Sequence, residues 1–236
     1  MTQNNFTIQE VQRHWDNVAD IYDDINQEIG DAHYQRFKEG LSHLELHPGE
    51  KILNIWSRTG NAIPWLEKYN VEIYNLEVSP KMIAIAETKY PKRNFQLTDL
   101  EHINFPNNYF DAILSLETLE HAPSPSKLLQ ELNRVLKPKK TAIISLPPKT
   151  AEIPLKIYEF FFHNHGEGPH KFLASKIVKR LINDAGFDLL LHKGTLLIPA
   201  GPKFLQKFGE FFISKFQKTF IKEFGIRQFY ICQKKQ

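Results

Sequence analysis

The side chains able to bind or react cluster where short apolar runs end. KILNIWSRTGN (51–61) carries Asn54 and then Ser57 to Asn61, VEIYNLEV (71–78) carries Glu77, Phe95 to Thr98 leads into Asp99, and Phe110 to Leu116 leads into Glu117 and on to His121. An acid at the end of the second run, roughly 20 residues past the first loop, is placed to accept both hydroxyls of a ribose diol through its two oxygens and to repel a 2′-phosphate. The plainer reading of Glu77 is a solvated strand-end acid. Asp99 reads as an acceptor for the exocyclic amine of an adenine, or as an ordinary turn residue. If the acceptor of a transferred group is a hydroxyl, a general base helps, and His121 and His165 are the candidates, with His163 and His170 nearby. The run His163-Asn-His165-Gly-Glu-Gly-Pro-His170 invites a metal reading. It falls on an irregular loop without cysteine, so histidines that are exposed or bonded to backbone are the plainer account.

These residues need elements to hold them. Ile52, Leu53 and Ile55 predict a buried parallel strand over Lys51 to Ile55, feeding a loop and a helix from about Ala62 to Lys68. Further strands are expected over Val71 to Val78, Phe95 to Thr98, Phe110 to Leu116, Thr141 to Leu146, Phe187 to Leu191 and Arg227 to Cys232. Between them, Ser79 caps a helix with Pro80 at its first position. Ser124 to Leu136 reads as an amphipathic helix stopped by Pro138, and Ser175 to Ala185 as a helix ended by Gly186. Thr7 caps a first helix with Val11, Trp15 and Val18 on one face, and a second is expected near Ala32 to Leu44. Strands alternating with helices imply βαβ units and a mostly parallel sheet with helices on both faces. The expected division is a single domain: a helical cap (1–47), a ligand-binding core (48–148) and an acceptor-side segment (149–236).

From Gly201 to Gly225, Phe204, Leu205, Phe208, Phe211, Phe212, Phe216 and Phe220 recur at helical spacing, with Lys203, Lys207, Lys215, Lys218 and Lys222 around them. A basic amphipathic helix near 203–222 can lie on an anionic membrane, cover a greasy acceptor, or form a homodimer interface. Core packing between two strands is the plainer reading. Phe160, Phe161 and Phe162 add apolar surface near the expected entrance. A net charge of +3 is too small to argue for nucleic acid, and stacking aromatics in a basic groove are not evident. The single cysteine, Cys232, excludes an internal disulfide and argues against a cysteine-based metal site. The polar N-terminus lacks a signal core and no run approaches the ~20 apolar residues of a membrane span. The expected setting is cytoplasmic, or peripheral to a membrane.

Taken in order, the segments resemble those of class I S-adenosylmethionine-dependent methyltransferases of the ubiquinone/menaquinone-methyltransferase-like group. HWDNVADIYD resembles the N-terminal helix whose tyrosine, here Tyr22, covers the cofactor. LEVSPKMIAIA matches the second-strand signature, with Glu77 as the ribose acid and Val78 and Met82 beside it. Thr98 to Leu100 matches the adenine site, with Asp99 as acceptor next to Leu100. FDAILSLETLEH matches strand four, with Glu117 to His121 by the methionine moiety. LLQELNRVLKPKKTAIISLP and GPHKFLASKIVKRLINDAGF match the later helices and strand five. Each piece is weak alone; the ordered set spans nearly the whole chain. It implies an α/β, Rossmann-like seven-stranded methyltransferase sheet with an antiparallel last strand. It also implies methyl transfer from S-adenosylmethionine, leaving S-adenosylhomocysteine, and the aromatic residues at 160–162 and 203–222 favour a small, hydrophobic or lipid-like acceptor.

The chain departs from the family in its first motif, usually Asp-X-Gly-X-Gly-X-Gly and here Asn54-Ile55-Trp56-Ser57-Arg58-Thr59-Gly60. The acid has become an amide, which accepts a hydrogen bond without bringing charge. Two of three glycines are gone, and a left-handed backbone costs other residues roughly 1–2 kcal/mol. Arg58 can clamp a carboxylate and Trp56 can stack on a flat or cationic group. Three outcomes stay open: a working cofactor site, a site filled by Trp56 in a chain that acts as a binding or scaffold subunit, or a site for another adenosine ligand.

Overall fold

The computed structural model describes residues 3–28, 30–153, 168–199 and 201–236. Its frame is a seven-stranded sheet in the order β3-β2-β1-β4-β5-β7-β6. The strands are β1 (Lys51–Ile55), β2 (Glu72–Glu77), β3 (Phe95–Leu97), β4 (Phe110–Leu116), β5 (Leu136–Leu146), β6 (Phe187–Thr195) and β7 (Arg227–Lys234). β1 pairs parallel with both β2 and β4, and β4 with β5. β7 enters between β5 and β6 and runs antiparallel to both. The expected parallel sheet with one reversed last strand is therefore present.

The apolar runs explain the layering. In β4, Ile113 and Leu114 are fully buried, as a central strand covered on both faces requires. One core layer packs α1 (Ile8–Val18) and α6 (Pro125–Val135) on the sheet through Trp15, Leu128, Leu129, Leu132 and Val135. The opposite layer packs α3 (Gly30–Leu41) and α4 (Ile63–Leu66) through Phe37, Leu41, Ile63 and Leu66. The caps act as expected. Thr7 and Glu10 form a reciprocal capping box on α1, and Ser79 Oγ accepts the Met82 N–H to open α5 (Pro80–Lys89) with Pro80 in its first turn. A short α2 (Tyr22–Glu28) links α1 to α3.

Several boundaries differ from expectation: the second helix ends at Leu41, β7 runs on to Lys234 and the last helix stops at Lys215. β5 begins at Leu136, not Thr141: Pro138 and Lys139, the latter at φ +63°, sit in an irregularity where two residues of β4 face five of β5. A proline without an N–H is tolerated there. β6 continues four residues past Leu191, because an irregularity between Leu189 and Leu191 resets its pairing and carries it to Thr195 opposite Arg227. The helix after β1 is also shorter, Ile63–Leu66, closing in a 3₁₀ turn over Glu67–Tyr69. α7 (Ser175–Asp184) packs on β6.

The last helix, α8 (Lys203–Lys215), overturns the expectation of core packing. Only its Gly209–Ile213 side is buried. Gly209 lies so close to Ile198 that a Cβ there would stand 2.9 Å from Cγ1, so the helix seats on this side. Phe204, Phe208 and Phe211 point outward, 70%, 59% and 63% exposed.

Candidate functional site

β1 ends in a tight turn that keeps the left-handed positions of a glycine-rich loop with one glycine, Gly60. Trp56 has φ +59°, Arg58 φ +53° and Gly60 φ +85°, so every second residue is left-handed. For Trp56 and Arg58 this costs roughly 1–2 kcal/mol each. Glu77 offsets the cost. Its Oε2 accepts the Arg58 N–H at 2.6 Å, and its Oε1 accepts the Val78 and Ser79 N–H groups at 2.8 and 3.1 Å. The carboxylate is fully buried, and burial pushes its pKa up while the Arg58 guanidinium pulls it back. Asn54, where the family has an acid, does not face the turn's ligand side: its Nδ2 donates across the sheet to Asn75 Oδ1 at 2.9 Å.

The side chains of the turn fill the space in front of it. Trp56 is 3% and Arg58 8% exposed. The Arg58 guanidinium lies 3.6 Å from the Trp15 ring centroid and 4.1 Å from that of Trp56, a desolvated cation between two indoles. Tyr22 and His121 close the cluster, Tyr22 edge-on to Trp15 and His121 with its ring 4.8 Å from Trp56. His121 is buried, and burial followed by the Arg58 charge drives its pKa well below the usual histidine range. The imidazole is therefore neutral. Nδ1 donates to the Pro169 carbonyl at 2.9 Å, leaving Nε2 as its basic nitrogen, 4.0 Å from Glu120 Oε1.

A second charged cluster stands at the end of β4. Glu117, left-handed at φ +54°, accepts Arg36 Nη1 at 3.1 Å on Oε2 and Arg227 Nε on Oε1. The charges of Arg227 and Arg36 outweigh burial and hold its pKa down to about 2. Arg36 Nη2 also meets His33 Nε2 at 3.1 Å. Burial, then the Arg36 charge, lowers His33 to about 2, so it is a neutral acceptor.

The structure thus brings Tyr22, Trp56, Arg58, Glu77, Val78 and His121 together, with Met82 packed in the core behind them. Glu117 belongs to the neighbouring arginine cluster. Asp99 is exposed at the end of β3, where its Oδ1 accepts the Glu101 and His102 N–H groups, while Leu100 beside it is buried at φ +65°. His163, His165 and Phe160 to Phe162 lie outside the described residues. Sequence reasoning missed Arg36, Arg227 and His33. Their signals were faint: a lone arginine opening the apolar run RQFYIC, and an arginine beside Phe37 in α3. Among the described residues no group of three or more His, Cys, Asp or Glu side chains is placed to hold a metal.

Residues 53–144 match the family described as Methyltransferase domain. A demethylmenaquinone methyltransferase of Thermotoga maritima is 30% identical over 161 residues, covering 66% of this chain and 70% of that protein. The chain belongs to the class I S-adenosylmethionine-dependent methyltransferases, in the ubiquinone/menaquinone-methyltransferase-like group. Its enzyme class is methyltransferase and its cofactor S-adenosylmethionine. Solved structures agree on the fold. A putative methyltransferase of Haloferax volcanii, in complex with the Trm112 methyltransferase activator, has a TM-score of 0.71 at 19% identity, covering 94% of this chain and 98% of that one. The [4+2]-cyclase SpnF also gives 0.71, at 15% identity, covering 100% and 99%.

The methyltransferase's own side chains occupy the cofactor's expected place. Glu77 is spent on three backbone N–H groups, and Trp56 and Arg58 fill the space in front of the turn. A cavity of about 380 Å³ lies behind the turn, lined by Asp23, His33, Tyr34, Asn61, Trp65 and Tyr90 among others, and does not reach Glu77. Another of about 250 Å³ lies along β2 and β3 near Tyr74 and Lys92. In this conformation the residues do not fit S-adenosylmethionine, and binding requires the Trp56–Arg58 turn to move aside.

Proposed function

We propose that this methyltransferase modifies a small, apolar or lipid-like acceptor, reached at an anionic membrane surface. The observation that carries the reading is the outward face of α8. Phe204, Phe208 and Phe211 share one side of the helix with Lys207 and Lys215, and Phe220 and Phe224 follow, 73% and 55% exposed. Burying aromatic rings at a headgroup boundary while lysines meet lipid phosphates is favourable on both counts. No helix among the described residues is long and apolar enough to cross a membrane, so contact would be peripheral. The relative in Thermotoga maritima is named for a demethylated menaquinone, which agrees with an apolar acceptor.

On this reading the ends of β2 and β3, at Glu77 and Asp99, border the adenosine, and the 56–60 turn faces the amino-acid end of the ligand. His121 Nε2, neutral near pH 7, is the base nearest that turn, and it would take the proton of a hydroxyl acceptor. The test supplies methyl-labelled S-adenosylmethionine to the protein on phosphatidylglycerol vesicles carrying a cellular lipid extract. Label is expected in the organic phase after extraction. Label confined to water-soluble products would overturn the apolar acceptor.

A further inference from the structure

The closed turn is tied to a surface far along the chain. Arg58, besides lying between two indoles, stands 5.9 Å from the Tyr22 ring centroid. Tyr22 is in turn hydrogen-bonded to the Arg36 side chain on α3. Next to Arg36, Gln35 Nε2 donates to Glu210 Oε2 of α8 at 2.8 Å, across 175 residues of chain. Gln35 Oε1 is buried without a hydrogen-bond partner, so among the described residues this amide is held by Glu210 alone. Glu210 Oε1 accepts the Leu196 N–H at 2.5 Å, which fixes the carboxylate to the segment just after β6. The acid is half-buried, and burial pushes its pKa up. A second tie runs from α3 to the turn: Asn61 Nδ2, one residue past Gly60, donates to His33 Nε2 at 3.4 Å. The turn, α3 and α8 therefore form one unbroken series of contacts.

We propose that docking of the α8 face on an anionic membrane opens the Trp56–Arg58 turn to an adenosyl ligand, with the Gln35–Glu210 contact as the link between them. This rests on the reading of α8 as a membrane face. A linkage needs a differential contact, since a ligand shifts an equilibrium only by what it gains in one state over the other. The turn opens only if Arg58 leaves its rings, and Tyr22, Arg36 and α3 are packed along that path. The seat of α8 is narrow, with Gly209 and Ile213 its buried residues. Phe204, Phe208 and Phe211 face away from that seat. Drawing them into a headgroup layer pulls α8 outward, and the Gln35–Glu210 contact carries the pull to α3. In water the turn stays shut; on the bilayer α3 shifts and the turn is released. By reciprocity the ligand tightens membrane binding by the same factor. The device admits the cofactor only where an apolar acceptor is found.

The test is calorimetric titration of the full chain with S-adenosylhomocysteine, in buffer and on phosphatidylglycerol vesicles, with vesicle binding measured by sedimentation. Affinity is expected to rise about fivefold or more on vesicles, and the ligand to raise vesicle binding by the same factor. Q35A is expected to sediment with vesicles as the wild type does and to reduce the rise to within about twofold. The comparison with and without vesicles is made on the wild type, so it stands even where Q35A fails to fold. Vesicle binding with an unchanged ligand affinity, or a rise that survives in Q35A, overturns the linkage and leaves the membrane reading standing. Absence of ligand binding both in buffer and on vesicles overturns the linkage as well. A protein that stays in the supernatant overturns the linkage and the membrane reading together.

Discussion

An arginine pair and a lone arginine stand at the carboxyl ends of neighbouring strands, shielded from water and treated in opposite ways. At the end of β4, Arg36 and Arg227 converge on Glu117, with His33 accepting from Arg36. At the end of β1, Arg58 lies between Trp15 and Trp56 with a donor left over. The first group is closed by one carboxylate shared between two arginines, and taking away Glu117 leaves both guanidinium groups uncompensated. The second is held by rings, with the charges of Glu77 and Glu120 acting on it and no shared hydrogen-bonded carboxylate.

The largest test of this contrast is Glu117→Gln. Removing the shared carboxylate strands two guanidinium groups out of water, for which a loss of about 3–5 kcal/mol is expected in urea denaturation. A loss under about 1 kcal/mol would mean that water already satisfies both arginines.

The next test uses acid. Glu117 has a folded pKa of about 2 against an ordinary 4.5, so its contribution is present above pH 4.5 and is lost as pH falls through 2. His33, lowered from 6.5 to about 2, stays neutral in the folded protein while the unfolded chain takes up a proton below pH 6.5. Stability present above 6.5 is therefore lost on acidification, at up to about 1.4 kcal/mol per pH unit for that group. Denaturation midpoints at pH 7, 6 and 5 should fall less steeply in His33→Gln than in the wild type. Parallel profiles would remove His33 from the account.

Arg58→Gly should have the smallest effect on stability. It relieves left-handed strain of roughly 1–2 kcal/mol and removes an unpaired donor, which offsets a cation–π loss of about 2 kcal/mol. The three backbone N–H bonds are left to hold Glu77 without the Arg58 charge. A net change within about 1 kcal/mol is expected by thermal melting. A loss matching that of Glu117→Gln would make Arg58 a structural residue and erase the difference between the two groups.

Much of the frame was legible because it rests on local signals: continuous apolar runs for β1 and β4, a helix cap at Thr7, and serine with proline opening α5. Where a second signal competed, the reading slipped. Pro138 suggests a break, yet β5 absorbs it in an irregular stretch. The periodicity of α8 defined an apolar face but held no information on which way it points, and close contact at Gly209 turns it outward. In the site, the oddity of Trp56 and Arg58 could be read directly, but not that the backbone keeps its left-handed turns beneath them, since side chains normally forbid that. Arg36 and Arg227 escaped because their meaning lies in a partner remote along the chain.

That remoteness has a consequence for how the protein is made. Arg227 joins Glu117 across 110 residues of chain, and it does so from the strand that slots between β5 and β6. During synthesis, Arg36 and Glu117 leave the ribosome well before their partner exists, while β1, β2 and β4 can already pair. The nascent chain therefore passes through a stage with its central strands formed and the edges of β5 and β6 unpaired, and long-range pairings of this kind close late.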